Sequence, residues 1–216
     1  LVSGTESDIV EEPPATTTLP VPTTAAPVPV PPMVESWQRV GDDVMDPVVG
    51  TFDMTVVGSR LFAVGFDPGE DDLRQTGVIL ASDDGVNWIR LAETDPARTR
   101  GEVVMNAVTE GGPGIVAVGV GCEDDTERCA FHATAWASVD GTSWTRTPED
   151  PNVFGGGANQ TSGMVGITAT SHGLIATGSV EYWTVDGEGD PTLITIHPAA
   201  WISDDGTTWE RVWEDT

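Results

Sequence analysis

Short runs of apolar and β-branched residues, separated by turn residues, fill the chain from residue 36 to residue 216. No apolar stripe of helical period interrupts them, so the pattern predicts strands rather than helices. The runs recur in three units, at about 53–99, 104–150 and 163–216, and Met54, Met105 and Met164 align at their starts. Each unit holds four runs, which is typical of a propeller blade. We therefore expect an all-β fold of four-stranded antiparallel blades.

Each unit ends in the same short string, Ser-x-Asp-Gly-x-x-Trp. Asp-Gly suits the tip of a tight hairpin, because glycine adopts positive φ without steric cost and the Asp carboxylate accepts hydrogen bonds from turn N–H groups. The tryptophan ring is expected to fold back on the hairpin. The residues of the three strings are Ser82, Asp84, Gly85, Trp88, Ser138, Asp140, Gly141, Trp144, Ser203, Asp205, Gly206 and Trp209.

An arginine follows each of these tryptophans by two residues, at Arg90, Arg146 and Arg211. Strand side chains alternate with period two, so this arginine shares a face with its tryptophan. It is expected to stack on that ring or to pair with an acidic neighbour.

The strings resemble the Asp-box, or BNR, repeats of sialidase-like β-propellers, although one residue is missing between Asp and Gly in every copy. The resemblance covers residues 36–216. In that family the Asp box lies in the turn between the third and fourth strands of a blade, away from the active face. The resemblance therefore implies a structural role for the string residues and no catalytic role for their aspartates.

The segment Ser36-Trp37-Gln38-Arg39-Val40 matches the last strand of the three units, with Trp37 51 residues before Trp88. Three units and one extra strand are fewer than the roughly 4–8 blades of a closed propeller. We expect the chain to form part of a ring of about six or seven blades. The alternative is a ring that two chains close by association.

Residues 1–35 have a different composition. Residues 12–32 contain eight of the sixteen prolines, with Thr, Ala and Val between them. Such a segment predicts a disordered Pro/Thr-rich linker or stalk. Stalks of this kind separate a folded domain from an envelope anchor, so we expect an exported bacterial protein, extracellular or on the cell surface. No apolar run is long enough to predict a membrane span.

The net charge limits the classes of partner that the protein can bind. The chain has 35 acidic and 9 basic residues and a net charge of −26. The negative electrostatic field of such a charge repels nucleic acid and anionic membranes and favours cationic partners, or the charge serves solubility alone.

The two cysteines, Cys122 and Cys129, are too few for a structural zinc site. We expect them to form a local disulfide, and the alternative is two free thiols.

The loops between the second and third strands are acidic in all three units, and a propeller places such loops on the face opposite the hairpins. Asp186, Glu188 and Asp190 alternate as in a calcium loop, so Ca²⁺ is a candidate ligand. The alternative is three solvated surface loops. Tyr182 and Trp183 either stack on a sugar or peptide or pack their loop onto the blade. The candidate ligand-face residues are Asp67, Glu70, Asp71, Asp72, Glu123, Asp124, Asp125, Tyr182, Trp183, Asp186, Glu188 and Asp190.

The resemblance to sialidases raises an enzymatic alternative. That family uses three arginines, a Tyr–Glu pair, an Asp acid/base and an Arg-Ile-Pro motif, which this chain lacks. Its one tyrosine, Tyr182, follows Glu181, and adjacency alone does not make a catalytic pair. We predict a binding or scaffold module for glycan or protein ligands, with no catalytic residue assigned. The alternatives are part of a glycoside hydrolase with catalytic residues outside this segment, and an assembly factor of an envelope complex.

Overall fold

The computed structural model describes residues 50–69, 75–91, 101–122, 130–156, 159–185 and 191–214. By its contacts the chain divides into Leu1–Gln38 and Arg39–Thr216, and every described residue belongs to the second unit. The predicted stalk and the strand at Trp37 lie outside the described residues, so the domain boundaries stay predictions.

The described residues form three four-stranded sheets and one short helix, and neighbouring strands in each sheet are antiparallel. Sheet one contains β1 (Gly50–Val57), β2 (Arg60–Asp67), β3 (Thr76–Ser82) and β4 (Ile89–Arg90). Sheet two contains β5 (Val103–Gly111), β6 (Gly114–Gly121), β7 (His132–Ser138) and β8 (Thr145–Arg146). Sheet three contains β9 (Gln160–Thr170), β10 (Gly173–Val185), β11 (Pro191–Ser203) and β12 (Glu210–Glu214). The helix α1 (Pro151–Phe154) precedes sheet three. The predicted all-β, propeller-like fold is confirmed.

The sheets pack face to face, and the first strand of each contacts the first strand of the next: β1 contacts β5, and β5 contacts β9. Two apolar layers result. Between sheets one and two, Phe62 and Ile79 meet Met105, Ile115 and Trp136. Between sheets two and three, the buried residues are Val116, Val118, Ala135, Met164, Leu174, Trp201 and others. Trp136 and Trp201 have no exposed surface, so the large third-strand tryptophans fill these layers.

Each first strand carries a register irregularity opposite a glycine of the second strand, at Gly65, Gly119 and Gly178. A Cβ on these glycines would lie 1.7, 2.0 and 1.9 Å from a carbonyl oxygen of the first strand. No side chain fits at such a distance, so the backbones approach closely only because the residue is glycine. The glycine that ends each Ala-Val-Gly or Ala-Thr-Gly run is therefore a requirement of the blade.

The alignment of Met54 with Met105 and Met164 is wrong by three residues. Thr51 pairs with Gly65, as Met105 pairs with Gly119 and Met164 with Gly178. Met105 and Met164 are fully buried, whereas Met54 is 56% exposed. The cause is spacing, because Met54 precedes its glycine by 11 residues and the other two methionines precede theirs by 14.

The face of sheet three that points away from sheet two is apolar and open to solvent. Ile175 and Ile202 pair across β10 and β11 and are each 39% exposed. Ile196 and Trp213 share that face and are 52% and 51% exposed. The equivalents of Ile175 in sheets one and two, Phe62 and Val116, are buried under the next sheet. The size of the ring stays a prediction.

Candidate ligand-binding site

The repeated string closes the turn between the third and fourth strands, and its side chains bond to that turn. In sheet two, Ser138 Oγ accepts from the Gly141 N–H at 2.8 Å. Asp140 Oδ1 accepts from the N–H groups of the second and third residues after it, at 2.8 and 3.0 Å. Trp144 Nε1 donates to the Gly141 carbonyl at 3.2 Å, and Gly141 has a φ of 76°. The carboxylate therefore stabilises the hairpin.

The other two copies repeat this geometry. Asp84 accepts from the N–H groups of the second and third residues after it at 2.8 and 2.7 Å, and Asp205 does so at 2.8 and 2.7 Å. Gly85 and Gly206 have φ of 74° and 75°. The same local sequence thus builds the same turn three times, whereas the resemblance to Asp boxes stays a prediction.

The hairpin hydrogen bonds make part of the stability depend on acid pH. Backbone N–H donors, first that of Thr208 and then that of Thr207, hold the pKa of Asp205 at about 2, against an ordinary value of 3.8. Because the folded-state pKa is lowered, this contribution is complete above pH 3.8 and is lost as the pH falls towards 2. The pKa of Asp140 is also about 2, and that of Asp84 is lowered too.

We expect Asp205→Asn to lower the unfolding temperature most above about pH 4 and to differ little from the wild type near about pH 2. Thermal unfolding followed by circular dichroism across this range measures the difference. Asp204→Asn, which alters the adjacent carboxylate of the same hairpin, is the control. A constant difference between Asp205→Asn and wild type at every pH contradicts the prediction.

The arginines after the repeated tryptophans use different partners. Arg90 Nη2 lies 2.6 Å from Asp67 Oδ2, and Arg211 Nη2 donates to the Asn152 carbonyl at 3.3 Å. The guanidinium of Arg146 lies over the ring of Trp136, 5.9 Å from its centroid. These arginines therefore bind within the framework.

Asp67, a predicted ligand-face residue, also belongs to the framework. The Gly69 N–H, and after it the Arg90 guanidinium, lower the pKa of Asp67, and both groups lie within hydrogen-bonding distance of its carboxylate. Nine other acids of that face lie outside the described residues: Glu70, Asp71, Asp72, Glu123, Asp124, Asp125, Asp186, Glu188 and Asp190. Within the described ranges, no three His, Cys, Asp or Glu side chains form a group that can hold a metal ion.

Cys122 is 1% exposed and is disulfide-bonded, and its N–H donates to the Glu102 carbonyl at 3.0 Å. Cys129, its predicted partner, lies outside the described residues, so the pairing stays a prediction.

A cavity of about 450 Å³ opens beside the first half of β9. It lies at the strand ends that adjoin the β6–β7 and β10–β11 connections, because Val120 is the last residue but one of β6 and Trp183 is near the end of β10. The repeated hairpins follow the opposite ends of β7 and β11. The cavity is therefore on the face that the sequence assigns to ligands. Its lining residues are Gln75, Val104, Val120, Phe131, Thr161, Ser162, Gly163, Val165, Ser179, Glu181 and Trp183.

Hydrogen bonds position the polar side chains of the cavity. Trp183 Nε1 donates to Thr161 Oγ1 at 3.1 Å, and this hydroxyl donates to Glu181 Oε2 at 3.4 Å. The Trp183 N–H also donates to the Asn159 carbonyl at 2.9 Å. A Cβ at Gly163 would lie 2.6 Å from Val120 Cγ1, so a larger residue would displace that valine where β9 packs on sheet two. One threonine thus links the indole and the carboxylate of the site.

The two predicted aromatic residues of β10 separate. Tyr182 is partly buried against the apolar layer between sheets two and three and meets His197 edge-on, with ring centroids 5.5 Å apart. Trp183 lines the cavity instead. A register irregularity between Tyr182 and Trp183 accompanies this change. The sequence missed Glu181, Thr161 and Gln75 as site residues, because no motif joins them.

No protein-family model matches the chain. No curated protein matches it either. Several solved structures do. A sucrose-6-phosphate hydrolase from Lactobacillus gasseri is 14% identical with a TM-score of 0.43, covering 76% of this chain and 34% of that one. A Bombyx mori GH32 β-fructofuranosidase is 12% identical with a TM-score of 0.44, covering 78% and 38%. A glycoside hydrolase is 13% identical with a TM-score of 0.47, covering 76% and 55%. The chain thus spans between a third and just over half of these proteins, and at this level of similarity their activities do not transfer to it.

No helix within the described ranges is long and apolar enough to cross a membrane.

Proposed function

We propose that the protein is a glycan-binding module and that the cavity beside β9 is its binding site. The observation that carries the proposal is the meeting of the Trp183 indole and the Glu181 carboxylate in one cavity with polar neighbours. A sugar ring offers an apolar C–H face to an aromatic ring and hydroxyl groups to oxygen acceptors. Ligand pockets are commonly apolar with a few placed polar groups, as this cavity is.

Preorganisation supports the proposal. Thr161 bonds to both Trp183 and Glu181, so the two side chains are held before a ligand arrives. Side chains that are already ordered lose less conformational entropy when a ligand binds. Three valines from β5, β6 and β9 complete an apolar lining: Val104, Val120 and Val165.

We propose binding rather than hydrolysis as the role of this cavity. Glycoside hydrolases commonly use two carboxylates, about 5–5.5 or 6.5–9.5 Å apart. Glu181 is the single carboxylate among the described lining residues. A sialidase-like glycoside hydrolase with catalytic residues outside this segment is the alternative function, and product formation from an oligosaccharide distinguishes it.

We propose further that the protein works outside the cell, held away from the envelope by the Pro/Thr-rich stalk. The disulfide-bonded state of Cys122 supports this, because disulfides persist in oxidising compartments. Ca²⁺ binding by the acidic loops, protein ligands and an assembly role stay proposals of lower rank, since the described residues carry no observation for them.

Trp183→Ala is expected to weaken oligosaccharide binding by about tenfold or more, or ~1.4 kcal/mol, because it removes the indole on which a sugar ring would stack. A glycan array identifies bound oligosaccharides, and isothermal titration calorimetry measures their affinity. Trp213→Ala is the matched control, because Trp213 is on another strand and does not line the cavity. Equal loss in both variants, or glycan binding that neither alters, contradicts the assignment of the site.

A further inference from the structure

We infer that the cavity selects sugars that carry a protonated amine, such as unacetylated hexosamine residues, over neutral and anionic sugars. This inference rests on the proposed function, and names the ligand class of the same site.

The first argument is the charge of the cavity. Glu181 is the one charged side chain among its described lining residues, and the other lining residues are neutral or apolar. A guanidinium that pairs with a sugar carboxylate is absent from that described set. A carboxylate repels an anionic sugar and attracts an ammonium group, and partial exclusion of water strengthens both effects.

The second argument is the hydrogen-bonding capacity of Glu181. An ionised carboxylate has about four acceptor positions. The Thr161 hydroxyl occupies one position on Oε2, and it holds the carboxylate beside Trp183. Acceptor positions therefore remain for an ammonium group, which has three donors, while the sugar ring lies against the indole.

The third argument is the field of the whole protein. The net charge is −26, so the potential around the molecule concentrates cations and depletes anions. This long-range effect is screened at physiological salt, whereas the contact with Glu181 persists. The two contributions can therefore be separated by ionic strength and by the position of a substitution.

The test compares matched oligosaccharides by isothermal titration calorimetry at about pH 6, where an aliphatic amine is protonated. The ligands are glucosamine oligomers, their N-acetylated counterparts, a cello-oligosaccharide and sialyllactose, at about 20 and about 200 mM NaCl. We expect the glucosamine oligomer to bind about tenfold more tightly than its acetylated counterpart at low salt, with a smaller ratio at high salt. Sialyllactose is expected to bind weakest.

Two variants with the same change in net charge locate the effect. Glu181→Gln is expected to abolish the preference for the amine, so that glucosamine oligomers and their N-acetylated counterparts bind with equal affinity. Glu110→Gln removes an exposed carboxylate from the far end of β5, away from the cavity, and is expected to retain the preference.

The outcomes separate the inference from the function on which it rests. Equal affinity for acetylated and unacetylated oligomers, or equal loss of preference in both variants, overturns the inference and leaves glycan binding in place. Tight binding of sialyllactose also overturns it. Failure to bind any oligosaccharide overturns the proposed function together with the inference.

Discussion

Gly119→Ala is expected to destabilise the protein by about 3–5 kcal/mol, a large part of the ~5–15 kcal/mol that folded domains commonly have. A Cβ at this position would lie 2.0 Å from the Val104 carbonyl oxygen and 3.0 Å from the Asn106 nitrogen. Both contacts are to backbone, so no side-chain rotation relieves them. The first strand of sheet two must move away from β6, and it packs against β1 and β9 on its two sides.

Urea denaturation followed by circular dichroism measures this loss as a lower transition midpoint. Gly166→Ala is the matched control, because its Cβ would lie 3.3 Å from the nearest atom, Thr177 Oγ1. Ala107 occupies the equivalent position in sheet two, opposite Val118, so an alanine is tolerated there. Similar midpoints for Gly119→Ala and the wild type would show that the close approach is not required.

Trp201→Ala is expected to cost about 3–5 kcal/mol, because it empties the largest buried volume between sheets two and three. Trp201 has no exposed surface, and its Nε1 donates to the Val153 carbonyl at 2.7 Å. The substitution removes apolar contacts and leaves that partly buried carbonyl without its indole donor, which adds to the cost. It therefore also loosens the attachment of α1 to sheet three.

The control for Trp201→Ala is Trp213→Ala, which removes the same side chain from the neighbouring strand. Trp213 is 51% exposed on the open face of sheet three, so its removal is expected to cost about 1 kcal/mol or less. Far-UV circular dichroism in urea measures both variants without depending on tryptophan fluorescence. The prediction fails if the two variants have equal midpoints.

Strands and sheets were predictable because their signals are local. β-Branched runs and turn residues alternate within each unit, and the three antiparallel sheets follow that order along the chain. The repeated hairpin was predictable for the same reason, since Ser138, Asp140 and Trp144 find partners within three residues. Such hydrogen bonds depend on backbone geometry that the local sequence specifies.

Register did not follow from matching residue types between the units. Matching methionines suggested that Met54 is equivalent to Met105, yet Thr51 occupies that position. The irregularity opposite Gly65 recurs opposite Gly119 and Gly178, so it does not cause the offset, which follows from the shorter spacing between Met54 and its glycine. Tyr182 packs on the core and Trp183 lines the cavity, because adjacent residues of a strand point to opposite faces.

The site was predictable only in part. Trp183 was expected on the ligand face, but its partners come from distant positions: Gln75 precedes β3, Val104 is on β5 and Thr161 is on β9. These residues share no spacing or motif, because their proximity arises from the packing of three sheets. A binding site assembled in this way cannot be found by searching the sequence for motifs.

By itself, the sequence determined the strand order, the hairpins and the negative charge of this protein. Each depends on composition or on contacts within a few residues. The tertiary structure decided which glycines are obligatory, which partners the repeated arginines bind, and that Glu181 and Trp183 share a cavity. These outcomes depend on contacts between residues tens of positions apart, whose distances only the packed sheets define.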